Sequence, residues 1–382
     1  MRIGIVCYPT FGGSGVVATE LGLALAKEGH VVHFITYDRP VRMVERTPNV
    51  FYHEVRVSDY PLFDYQPYEL VLTSKMVDVV KYERLDLLHV HYAIPHASAA
   101  YMAQRILESQ GIRIPFITTL HGTDITLLGR DPSFEPVITF AMERSNGLTA
   151  VSESLKRDTI KHFPLKRSVD VIPNFIRMER YAGREDAAIR QRFAPNGEKL
   201  LVHVSNFRPV KRVEDVLQTF IRVADRMPAR LLMVGDGPER QRMEQFCRAK
   251  GVCPDIVFLG KITRPEDIVA NCDLFLLTSE TESFGLAALE AMASGVPVIS
   301  SNTGGIPEVN VHGVSGLLSN VGDVDDMARN ALTILGDPDT YARYRAGALS
   351  EAARYDVSRV LPQYEALYQQ VIQSVPAHGV HQ

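Results

Sequence analysis

The sequence predicts an α/β protein of two doubly wound, Rossmann-like domains facing each other across a cleft. Three observations carry this reading. Short apolar runs of strand character alternate with helical patterns along the chain, as in parallel sheets covered by helices. The opening unit of strand, glycine-rich turn and helix is echoed from Lys199 onward. A length of 382 residues suffices for two full hydrophobic cores.

Met1 to Cys7 is a continuous apolar strand. YPTFGGSG follows as a turn, VVATELGLALAKEGH as an amphipathic helix ending at Gly29, and VVHFITY as the next strand. Gly12, Gly13 and Gly15 are packed more tightly than in G-x-G-x-x-G, so Asp38 after the second strand does not complete a dinucleotide fingerprint. Such a turn serves either a positive φ or the close approach of a diphosphate and a sugar to the backbone. Leu85–Ala93 and Ile114–Asp124 read as further strands with polar ends. In an open parallel sheet the ligand crevice lies outside those carboxyl ends, which gathers His89, His91, Tyr92, Thr118, Thr119, His121 and Asp124 near one edge. No metal-ligand spacing joins the histidines, and some read as core or crevice-wall residues. GLTAVSESLKRD brings a strand and a helix capped by Ser152, extending toward His162. VDVIPNFI ends the first half near Pro173.

Arg184–Gly197 is polar and reads as an irregular joining segment. KLLVHVSNFRPVKRVEDVLQTFIRVADRM then restarts the pattern of strand, loop and helix, and RLLMVG, DIVFLG, DLFLLTS and VPVISS read as further strands. The expected domains are 1–172 and 173–357. The tail PQYEALYQQVIQS reads as a helix from Pro362, and the closing SVPAHGVHQ as a frayed end.

A net charge of −4 gives no general attraction to nucleic acid or to an anionic membrane. No apolar run approaches the ~20 residues of a membrane span, and the chain opens on a strand rather than a signal peptide. The four cysteines show no C-x-x-C spacing and read as reduced, structural residues of a cytoplasmic protein.

The chemistry concentrates in SETESFGLAALEAMASG, Ser279 to Gly295. Glu282 lies in a polar turn ending at Gly285. Glu290 is the only polar side chain of LAALEAMA, a helix-forming run closed by Gly295. A carboxylate in an apolar helix needs a partner, because burying it unpaired costs several kcal/mol, roughly. The plain partner is an Arg or a backbone amide. The functional one is a pair of ribose hydroxyls, with the amides around Phe284 and Gly285 meeting a diphosphate at the helix N-terminus. Upstream, SNFRPVKR sets Arg208, Lys211 and Arg212 between a strand and a helix, either as a solvated basic turn or to neutralise a leaving diphosphate.

The glutamate pair, followed by NTGGIPE, resembles the signature of retaining glycosyltransferases of the GT-B fold, family four. Together with CYPTFGGSGVVATELG, HVHYAIPHA and TTLHGTDITLLG, it is similar to the branch that transfers GlcNAc from UDP-GlcNAc to the hydroxyl of L-malate, the first step of bacillithiol biosynthesis. The resemblance implies that the last helix, about 358–376, crosses back onto the first domain. It also implies a donor site of Gly13, Asn206, Arg208, Lys211, Ile262, Glu282, Phe284, Gly285 and Glu290. Asn206 stands where the family pattern has arginine, which leaves open whether Arg208 takes over. Tyr92 and Thr119 match acceptor-contacting positions; Ser14 joins them from the strand ends, and Lys75 and Arg42 are added as cations for the malate carboxylates. The expected catalytic set is Glu282, Lys211 and His121, the last shaping the pocket rather than acting as base. With no D-x-D at a strand end, the expectation is no metal and no other cofactor. The expected partners are the two small substrates, with no nucleic acid and no membrane; a homo-oligomer is compatible with the sequence. The alternatives are another small acceptor, a UDP-GlcNAc epimerase of similar build, and, disfavoured by the glycine pattern, an NAD-linked oxidoreductase.

Overall fold

Seven strands form the first sheet: β1 Arg2–Val6, β2 Val31–Thr36, β3 Val50–Glu54, β4 Leu87–His91, β5 Phe116–Leu120, β6 Gly147–Ala150 and β7 Asp170–Val171. All pair in parallel, in the order β3-β2-β1-β4-β5-β6-β7. The structure is a computed structural model that describes every residue except 11, 44–46, 58–65, 128, 130 and 376–382. Phe11 of the glycine turn and the closing stretch from 376, expected to fray, lie outside the described residues.

The second sheet has six parallel strands: β8 Lys199–Ser205, β9 Ala229–Gly235, β10 Ile256–Gly260, β11 Leu274–Leu277, β12 Val298–Ser301 and β13 Gly316–Ser319. Their order is β10-β9-β8-β11-β12-β13. The chain divides into two compact units, Met1–Phe175 with Val357–Gln382, and Ile176–Asp356. Each sheet reverses its strand order once, between β1 and β4 and between β8 and β11. Ligands of such sheets sit at that switch point, beyond the carboxyl ends.

The strands are near-continuously apolar because helices cover both faces. In the first unit Val6, Leu88, Val90 and Phe116 pack on Leu72, Met76 and Val79 of helix Tyr68–Glu83 and on Ala100, Ala103 and Leu107 of helix Ser98–Ser109. In the second, Leu201, Leu231, Met233, Leu274 and Leu276 meet Val216, Leu217 and Phe220 of helix Val213–Ala224. Burial of each Leu, Val, Met or Phe among them contributes about 1.5–3 kcal/mol.

Four features depart from the sequence reading. β3 and β13 were not anticipated; both are edge strands, and VFYHE and GLLS lack a long apolar run. Residues 184–197 are not an irregular joint. They hold helix Ala187–Phe193, capped by the Asp186 carboxylate, and belong to the second unit. Arg184 bonds Asp267 at 3.2 Å and Arg190 bonds Asp273 at 2.8 Å, so the polarity of this segment is spent on ion pairs. The units divide after Phe175, and Ile176 bridges Asp356. The tail helix runs Val357–Ser374, so Pro362 lies inside it and forgoes one helical amide bond. A buried face with Tyr364 and Tyr368 offsets that loss. The Ser152 cap forms as expected, accepting from the Leu155 amide at 3.0 Å.

Candidate active site

In the second unit four loops converge beyond the strand ends. β8 runs into Ser205–Lys211, where Phe207 is fully buried at φ 37° and its amide donates to Ser205 Oγ. The β9 loop lies so close that a Cβ on Gly237 would stand 2.0 Å from the Asn206 carbonyl oxygen. After β11, the Thr278 hydroxyl donates to the Lys211 carbonyl at 2.9 Å, and the Glu280 amide to that of Val210 at 2.8 Å. The lysine backbone is thus held from two sides. After β12, Gly304 at φ 55° lets the loop close on Glu282; a Cβ there would lie 2.0 Å from the Glu282 carbonyl oxygen. The Gly305 amide donates to that same oxygen at 2.8 Å.

These clamps bring Lys211 and Glu282 into a direct ion pair, each side chain 20% exposed. Ser279 Oγ lies 3.4 Å from the same carboxylate. Arg212 is committed elsewhere, 2.6 Å from Asp215 in the next helix, while Arg208 and Asn206 are exposed on the loop. Ile262 follows β10, half-buried. Phe284 is 3% exposed, edge-on to Tyr355 at 5.5 Å. Gly285 caps helix Leu286–Ala293 at φ 97°, a left-handed value that suits glycine, and Gly295 follows the helix at φ 74°. Glu290 Oε1 accepts a hydrogen bond from the Tyr181 hydroxyl at 2.9 Å.

In the first unit Gly13 and Ser14 open helix Gly13–Lys27 beyond β1. The Tyr92 hydroxyl donates to Ser14 Oγ at 2.7 Å, and Tyr92 holds φ 84°, strained for a side chain of its size. Asp124 explains how that turn stays in place. It is fully buried and accepts from the amides of Ala93 at 2.9 Å and Gly122 at 3.2 Å, tying the turn after β4 to the turn after β5. Burial raises its carboxyl to about 6 against the pull of those amides.

His121 is half-buried and shares a hydrogen bond with His91, Nε2 to Nδ1 at 2.8 Å. Burial drives His121 down to about 3 and holds His91 well below the usual histidine range. Both are therefore neutral near pH 7. Thr119 lies within the β5 strand. It is 0% exposed, and its hydroxyl bonds His89 Nε2 and Thr149 Oγ1, each at 2.7 Å. It braces the wall from inside. His89 in turn bonds the Tyr368 hydroxyl of the tail helix at 2.7 Å. Arg42 lies 3.4 Å from Glu20, and Lys75 lines an open groove with His53, Glu54, Arg56 and Asp78.

Among the described residues, the group whose potential metal-ligand atoms all lie within 4.8 Å of one another is His33, His53 and Glu83. Arg2 already stands there, 3.2 Å from Glu83 and 3.5 Å from His33 Nε2. Tyr181 and the bracing role of Asp124 escaped the sequence reading. Tyr181 sits in the polar run RMERYAGRE, where nothing in the spacing points to Glu290. Asp124 was visible as a strand-end polar residue but not as a link between turns.

Across 379 residues, 97% of either chain, the sequence is 45% identical to the N-acetyl-alpha-D-glucosaminyl L-malate synthase of Bacillus anthracis. The chain belongs to glycosyltransferase family four. This glycosyltransferase matches the family model described as Glycosyltransferase Family 4 over residues 11–180, and that of Glycosyl transferases group 1 over residues 185–350. It is 28% identical to the D-inositol 3-phosphate glycosyltransferase of Thermobispora bispora, covering 95% of this chain and 91% of that one. Among solved structures, Anabaena Alr3699/HepE in complex with UDP and glucose aligns at TM-score 0.81 with 21% identity, over 97% and 99% of the two chains. The lipopolysaccharide glycosyltransferase WaaG aligns at TM-score 0.72 with 14% identity, over 96% and 99%. These likenesses speak to the fold, which is GT-B. No described helix is long and apolar enough to cross a membrane.

Proposed function

We propose that this glycosyltransferase moves GlcNAc from UDP-GlcNAc to the hydroxyl of L-malate with the α configuration retained, and so opens bacillithiol biosynthesis. The supporting observation is the 45% identity, over 97% of both chains, to a relative named for that product. The loops of the second unit would supply what a nucleotide-sugar needs. Glu290 would take ribose hydroxyls, and the amides at Phe284 and Gly285 would meet the diphosphate at a helix N-terminus. Lys211 would leave Glu282 for the phosphates, and the freed carboxylate would turn to the sugar hydroxyls.

In the proposed step the anomeric carbon's bond to the phosphate oxygen breaks, with its electron pair passing to the diphosphate. The malate oxygen bonds that carbon from the same face, and its proton passes to the departing phosphate oxygen. Lys211 and Arg208 would stabilise the growing charge. Tyr92 and Ser14 would orient malate. His121, whose basicity burial has removed, suits the role of wall better than that of base.

The test is incubation with UDP-GlcNAc and a mixture of hydroxy acids, with products identified by mass. GlcNAc-malate, and UDP release that depends on L-malate, are expected. Turnover of UDP-GlcNAc without acceptor, giving an epimerised sugar, would replace this reading by an epimerase. Retention is tested separately with a slow fluorinated donor. No sugar should remain on the protein, and an adduct on Glu282 or Asp124 would overturn same-face attack.

A further inference from the structure

Glu290 is half-buried on a helix whose buried side chains are alanine, leucine and methionine. Beside it lies a small recess lined by Val204, Val269, Phe275, Ala287 and Ala291, with Tyr181, Pro265 and the buried Glu266. The Tyr181 hydroxyl, 2.9 Å from Oε1, is one group that fixes the rotamer of this carboxylate. Tyr181 itself is 3% exposed and is held by a short turn, Met178–Arg180, that is pinned at several points. The Met178 amide bonds Asp356 at 3.0 Å, Arg180 bonds the buried Glu266 at 2.8 Å, and the Tyr181 amide bonds the Met178 carbonyl at 3.0 Å. The hydroxyl therefore stands on a rigid mount.

We propose that Tyr181 is a positioning residue for nucleotide recognition: by fixing one oxygen of Glu290, it aims the carboxylate at the two ribose hydroxyls of the donor. The inference rests on the proposed role of Glu290 as the ribose ligand and deepens it. Two vicinal hydroxyls present donors at fixed separation, so a carboxylate that swings about its last bond meets one of them at a time. A carboxylate held by Tyr181 meets both. The tyrosine touches no substrate, and its effect should appear only through the hydroxyl groups it helps to read.

The experiment is calorimetric titration of UDP and of 2′-deoxy-UDP into wild type, Tyr181→Phe, Glu290→Gln and the double variant. Tyr181→Phe keeps the buried ring and loses one charge-assisted hydrogen bond, so UDP affinity is expected to fall about tenfold. The loss should be clearly smaller for 2′-deoxy-UDP, and Tyr181→Phe should add little once Glu290→Gln is present. Equal losses for both nucleotides, or full additivity in the double variant, would reduce Tyr181 to a packing residue and overturn the inference. So would wild-type UDP affinity in Tyr181→Phe while Glu290→Gln binds weakly. If Glu290→Gln itself binds UDP as wild type does, the donor reading fails instead, a distinct outcome.

Discussion

At position 211 the ammonium group has two competing partners: the Glu282 carboxylate that holds it in the free protein and the diphosphate it is proposed to meet. The second attraction grows as the glycosidic bond breaks, so Lys211→Ala should lower kcat more than it raises the donor KM, by on the order of 10²–10³-fold. A rise in KM alone would make the lysine a uniform binder. Because the proposed site answers the diphosphate with Lys211, Arg208 and helix amides, activity should persist in EDTA. Loss that Mg2+ restores would return a metal to the reaction. At this scale the sequence exposed the need but not always its answer. A lone glutamate in LAALEAMA demands a partner, yet Tyr181 is supplied by folding from 109 residues away. Thr119 matches an acceptor position, and its place inside the β5 strand sets its hydroxyl on His89 and Thr149. That outcome depends on neighbouring strands, which no local pattern encodes.

Between elements, the turn after β4 and the turn after β5 share one brace. Asp124→Asn keeps the shape but replaces an acceptor oxygen with a donor that would face an amide hydrogen. The turn carrying Tyr92 should loosen, raising the L-malate KM by about tenfold or more and leaving UDP affinity unchanged; equal damage to both would make Asp124 a general stability residue. Interior strands were legible because burial on both faces demands unbroken apolar runs, as in RIGIV and DLFLL. β3 and β13 were not, since an edge strand tolerates Tyr52, His53 and Glu54 or a four-residue length. The segment 184–197 misled for a related reason: its charges face partners contributed by Asp267, the Asn271 carbonyl and Asp273, so polarity there signals pairing rather than a linker.

Over the whole molecule, acid should act unevenly. In the first unit burial lowers His33 and His96 to about 4, His89 and His121 to about 3, and also lowers His53 and His91. In the second, His203 falls to about 4. The unfolded chain takes up these protons near pH 6.5, roughly, and the folded chain only further down, so this stability is complete above that pH and lost as pH falls through the folded values. Asp124 works the other way. Its raised carboxyl keeps its proton longer in the folded state, so stability from this group grows as pH falls from about 6. One such group against several histidines leaves a net loss. Urea midpoints should drop between pH 7 and pH 5, with the first unit melting before the second. A midpoint that stays constant, or a second unit that melts first, would count against the assignment.

The tail helix Val357–Ser374 belongs to the first unit, and Ile176–Asp356 is spelled out between that unit's two pieces. On the ribosome this fixes a timetable. Synthesis delivers about 5–20 residues per second, so the whole second sheet leaves the exit tunnel before Tyr368 does. His89 must wait, without its tyrosine partner, for the last helix of its own unit. The nascent first unit is thus expected to stay open to chaperones and proteases until Tyr368 has emerged, and the second unit, though encoded later than most of the first, can finish folding before it.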